Sequence, residues 1–93
     1  MPTFVMLTNL TAEGVKTLKH NPGRVAEVNR EVEALGANVV AQYTTLGQFD
    51  FVTVIEAPSE EIMAKVSIEM SSRGTMTSQT LTALSAERLA EVL

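Results

Sequence analysis

The 93-residue sequence has no cysteine, no tryptophan and one histidine. Without cysteine there is no disulfide, no thiolate metal site and no Cys nucleophile. With His20 alone there is no second imidazole, and no Asp or Glu pattern carries metal-ligand spacing, so neither a metal nor a haem is expected, nor any other cofactor. Aromatic residues are 4% of the chain, which leaves little surface for stacking bases or sugars. No apolar run nears the ~20 residues of a membrane span. Met1-Pro2-Thr3 leads into a strand pattern without a basic leader, so the expected compartment is the cytoplasm. Net charge is −4. Lys16, Lys19, Arg24 and Arg30 are interleaved with Glu13, Glu27, Glu31 and Glu33. That is a mixed, solvated helix face, not the basic face of a nucleic-acid binder.

What remains is a compact composition, 45% hydrophobic, read as one domain spanning residues 1–93. A chain this short buries only about two-thirds of the surface its unfolded form exposes. Further burial comes most easily from self-association.

The sequence is organised around Gly36–Pro58. Two runs rich in Val, Thr, Tyr, Phe and Ile flank Leu46-Gly47-Gln48-Phe49-Asp50, the pattern of a long hairpin with a Gly/Asp tip. Upstream, Thr3–Leu10 forms a strand, with Phe4, Met6 and Leu10 on one face and Val5 and Leu7 on the other. Both faces are apolar, which places it centrally and covered on both sides. Thr11 caps a first helix that Gly14 weakens by up to ~1 kcal/mol relative to Ala. Asn21-Pro22 interrupts it, and the helix restarts near Pro22 with Asn21 as cap. Val25, Val28, Val32 and Leu35 then recur at helical spacing, Glu27, Arg30, Glu31 and Glu33 face water, and Gly36 takes the left-handed position after the last turn. Ser59 caps a second helix carrying Ile62, Val66 and Met70, which ends at Ser71-Ser72-Arg73-Gly74. Thr75–Leu84 is a β-branched strand, polar on both faces, suited to an edge or a wet interior. Ser85 opens a short amphipathic tail. The order β-α-β-β-α-β predicts an α+β, ferredoxin-like fold. Its antiparallel four-stranded sheet carries two helices on one face, with a short C-terminal helix beyond.

Gly47-Gln48-Phe49-Asp50-Phe51-Val52, with Glu56-Ala57-Pro58 after it, resembles the signature hairpin of the GYD domain proteins. Phe4–Thr11 and Ser72-Arg73-Gly74-Thr75 resemble the same family, and the likeness covers essentially the whole chain. Phe49 stands where a tyrosine is usual, so any role of that phenol is lost here. The family is similar to the dimeric α+β barrels, in which two ferredoxin-like sheets pack face to face. The resemblance therefore implies a homodimer or higher multiple with a space between the sheets.

Four residues are candidates for chemistry. Asp50, at the hairpin tip, is either a base or ligand anchor, or an acceptor of backbone N–H bonds within the turn. His20 is either an acid, base or ligand, or a polar residue in a loop. Tyr43 either holds a substrate oxygen or buries its ring. Arg73 either complements a helix C-terminus or binds an anion. No nucleophile–base pair, P-loop or dinucleotide fingerprint is present. Two functions follow: a small-molecule-binding or assembly module, or a cofactor-independent, monooxygenase- or isomerase-like enzyme acting on a small organic substrate between the sheets. Gln42, Thr53, Ser78 and Thr80 are interspersed in the strands, and some of them are expected to face that shared interior and keep part of it wet enough for a ligand.

Overall fold

The computed structural model describes residues 1–93. Strands β1 (Thr3–Leu10), β2 (Asn38–Thr44), β3 (Phe51–Glu56) and β4 (Met76–Ala83) form one antiparallel sheet in the order β2-β3-β1-β4. Helices α1 (Ala12–His20) and α2 (Arg24–Ala34) together make the first crossover, and α3 (Glu60–Ser71) makes the second. A short α4 (Ala86–Val92) follows β4. This is the ferredoxin-like arrangement the sequence predicts. No helix is long and apolar enough to cross a membrane.

Local chemistry sets the boundaries. The Thr11 hydroxyl accepts from the Gly14 N–H, the Ser59 hydroxyl from Ile62 and the Ser85 hydroxyl from Arg88, each satisfying a donor that a helix start leaves free. Gly36 has φ +101° and Gly74 φ +76°, the left-handed backbone that lets the chain leave a helix. One boundary differs from the expectation. Asn21 does not cap α2; it closes α1, and α2 starts after Gly23 with no side-chain cap. Pro22 therefore lies in the connection and not in the first helical turn.

The two faces of the sheet have different fates. Phe4, Met6, Thr8, Phe51, Thr53 and Ile55 alternate onto the helix-covered face and are all buried. They pack with Val32 of α2 and Met63, Val66 and Met70 of α3. The opposite face carries no helix. On it Ala41, Val54, Val5 and Leu81 lie in register across all four strands, and Tyr43, Val52, Leu7 and Gln79 form the next row. β1 is thus central, as its pattern predicts, yet within one chain it is covered on one side only.

The expectation that some of Gln42, Thr53, Ser78 and Thr80 face a space between sheets is corrected. Thr53 and Thr80 pair with Met6, Gln42 with Thr53, and Ser78 with Thr8, so all four lie under the helices. Period-2 alternation fixes which residues share a face. It does not say which face the helices cover.

Candidate functional site

Helices α1 and α2 do not close completely on the sheet. Between them and β1–β3 lies a cavity of about 260 Å³. Its walls are mostly apolar, with Met6, Leu18, Val25, Val28, Phe51 and Ile55 among them. A polar strip crosses it. The Asn29 side-chain N–H donates to Gln42 Oε1 at 2.8 Å, and Gln42 Nε2 donates to Thr53 Oγ1 at 3.0 Å. Thr8, 5% exposed, lines the same cavity, and none of these bonds engages its hydroxyl.

Arg24 and Arg73 also line this space. Both bind the Glu31 carboxylate: Arg24 Nη1 donates to Oε1 at 3.2 Å, and Arg73 Nη1 donates to Oε2. Arg24 donates further to Glu27 at 3.1 Å, and Arg73 lies 3.8 Å from Glu69. Glu31, expected to face water, instead ties α2 to the end of α3. The Arg73 hydrogen bond, and secondarily Arg24, hold the Glu31 carboxyl below its usual 4.5. The hydrogen bond to Glu27 likewise raises Arg24.

A carboxyl whose folded pKa is depressed stabilises the fold above its unfolded pKa. That contribution fades as pH falls through the folded value. With Glu31 38% exposed, solvent screening limits it to about 0.5 kcal/mol. Glu31→Gln should therefore lower urea-unfolding stability by that order at pH 7. The gap to the unsubstituted protein should close as pH drops below 4.5.

Of the four residues singled out in the sequence, only Arg73 reaches this cavity. His20 is exposed at the end of α1, and Tyr43 lies on the helix-free face, 67% exposed. Asp50 joins the hairpin to the central strand: its Oδ2 accepts from the Leu10 N–H at 2.8 Å, and its own N–H donates to the Thr8 carbonyl at 2.8 Å. The carboxylate thus serves backbone, but backbone 40 residues away and not within its own turn. Asp50→Ala leaves the Leu10 N–H without its charged acceptor and should cost about 2 kcal/mol in denaturant melts. Asp50→Asn, which keeps an acceptor oxygen, should lose less. Equal stability of all three proteins would contradict this role. No three His, Asp or Glu side chains come together in a metal-binding group.

Of the polar strip, Gln42 and Thr53 stand out in the sequence, while Asn29 and Thr8 escaped sequence reasoning although a signal was present. Asn29 interrupts the apolar stripe of Val25, Val28 and Val32, and Thr8 and Thr53 occupy the buried phase of their strands. A polar residue in a buried phase either meets a partner or lines a cavity.

The sequence matches the GYD domain family over residues 4–93. The chain belongs to the GYD domain family. The glutamine synthetase and cystathionine beta-lyase binding protein of Thermus thermophilus is 46% identical to it over 85 residues, 90% of each chain. Among solved structures, TTHA0845 from Thermus thermophilus superposes with a TM-score of 0.59 at 22% identity, over 92% of this chain and 96% of that one. A dimeric ferredoxin-like protein from an uncultured marine organism aligns with a TM-score of 0.44 at 10% identity, over 91% of this chain and 96% of that one. At 22% identity the likeness to TTHA0845 speaks for the fold alone of this GYD domain protein.

Proposed function

We propose that this GYD domain protein is a non-enzymatic binding module that works as a homodimer and docks on a metabolic enzyme of the glutamine synthetase or cystathionine beta-lyase type. One observation carries the docking: a relative 46% identical along 90% of both chains is named for binding those two enzymes. The chemistry of the site agrees with it. The charged side chains at the cavity are engaged with one another, and no nucleophile has a base beside it.

The homodimer rests on the helix-free face. Val5, Leu7, Ala41, Val52, Val54 and Leu81 form a contiguous apolar field, and such fields mark interfaces. A second copy of the same face is the occupant that fits. Along these strands Glu56 is the one charged residue on this face, and a two-fold axis would set the same apolar rows of two copies against each other. Burying about 600 Å² of apolar area per chain offers roughly 15 kcal/mol before association costs.

The test is co-elution on size exclusion. The protein is mixed at about 20 µM with purified glutamine synthetase, then with cystathionine beta-lyase, both from its own source. A micromolar dissociation constant, about −8 kcal/mol, shifts the small protein to the enzyme's elution volume in at least one mixture. Unshifted elution in both overturns the docking.

A further inference from the structure

We propose that the cavity under α1 and α2 is a binding site for a small, uncharged ring compound bearing one hydrogen-bond-accepting oxygen, such as an aryl ketone. This goes beyond the docking function and uses the opposite side of the sheet. Size comes first. At about 260 Å³ the space exceeds the ~150 Å³ apolar cavity that accepts benzene, so it holds a ring with a short substituent.

Charge comes second. The interior walls carry no ionised group. At the mouth, Arg24 and Arg73 are already met by Glu27, Glu31 and Glu69. Three carboxylates against two guanidiniums leave nothing for an anionic ligand, and an ion deeper in would lose its hydration without a counter-charge.

The polar strip sets the third feature. Thr53 Oγ1 already accepts from Gln42, so its own proton is free to be donated. Thr8, on the neighbouring strand and the same face, keeps a hydroxyl that no protein group engages. The residue is 5% exposed, but no buried side-chain oxygen is left without a partner, so the hydroxyl is open to the cavity and free to bond whatever fills it. Thr8 pairs with Phe51 and Thr53 with Met6, so the two hydroxyls stand diagonally on one face of adjacent strands, and a carbonyl-type oxygen seated between them would have a donor on either side.

The experiment titrates the full chain with three ring compounds and follows backbone amide shifts by NMR. Acetophenone supplies the ring and the acceptor. α-Methylstyrene replaces C=O by C=CH₂ at nearly the same shape, and benzoate replaces the neutral head by an anion. Acetophenone should give saturable shifts centred on Thr8, Gln42 and Thr53. α-Methylstyrene and benzoate should each bind about ten-fold more weakly, the worth of roughly one buried hydrogen bond. Thr8→Val keeps the volume and should erase most of acetophenone's advantage over α-methylstyrene. Val28→Phe, which fills the cavity, should abolish the shifts from all three. No saturable shift with acetophenone, equal affinity for acetophenone and α-methylstyrene, or tighter binding of benzoate would each overturn the proposal. The comparison of the three compounds on the unsubstituted protein decides it even if a variant misfolds.

Discussion

Leu7→Glu is expected to turn the protein into a folded monomer. Leu7 lies on the central strand with Val52 on one side and Gln79 on the other, in the middle of the helix-free face. In the proposed sheet-to-sheet dimer a carboxylate there would be taken out of water with no partner, and the two-fold axis would bring a second one from the other copy. Each buried, unpaired ion costs several kcal/mol. The dimer dissociation constant should rise by about a thousand-fold or more. Within one chain the same residue faces solvent, so the fold should survive. Light scattering at about 20 µM should give the mass of one chain for the variant and twice that for the unsubstituted protein. Far-UV circular dichroism of the two should match. A variant that stays dimeric would remove the helix-free face as the interface.

The second large effect is at Gly14, where propensity and packing disagree. In an exposed helix Gly→Ala gains up to about 1 kcal/mol. Here a Cβ on Gly14 would lie 2.0 Å from the Thr75 carbonyl oxygen. That oxygen cannot easily retreat. It accepts from the Thr11 N–H at 3.0 Å, and the Thr11 hydroxyl donates to the neighbouring Gly74 carbonyl at 2.8 Å. The start of α1 is thus bonded to the entry of β4, and the missing side chain lets the backbones meet. Gly14→Ala should destabilise by about 2–3 kcal/mol, the scale of overpacking. The urea midpoint should fall with the slope unchanged. A gain in stability would mean that the close approach does not exist.

These two residues mark how far the sequence could be read. The strand pattern at Leu7 was legible because side chains alternate with period 2 and both phases of β1 are apolar. Hence the central strand, the ferredoxin-like order and the apolar second face were all predictable. Gly14 was not. Its neighbour Thr75 is 61 positions away, and no local pattern announces a close approach between distant backbones. Local signals served well where the chemistry is local: the caps at Thr11, Ser59 and Ser85 and the left-handed Gly36 all stand where the sequence put them. They failed at Asn21, whose capping tendency was spent on closing α1, because Asn ends helices as readily as it starts them.

The candidate site was legible only in fragments. Arg73 was singled out, but as a lone cation. Its partner Glu31 is in α2, and the pair forms only once the two crossovers lie side by side. Gln42 and Thr53 stand out as polar residues in apolar strands, but the sequence does not place them on the helix-covered face. Nothing in an alternating strand says which side its helices will take. For Asp50 the sequence offers two roles, ligand anchor or acceptor within its own turn; its actual donor, Leu10, comes from the strand that pairs with β3 and is invisible to turn rules.

Native mass spectrometry of the freshly purified protein tests the central claim most directly, since docking, the interface and the fate of the second sheet face all assume two sheets packed together. The account predicts twice the 10.0 kDa chain mass, or a multiple of it, across the micromolar range. A single species of one chain mass, unchanged on concentration, would contradict it.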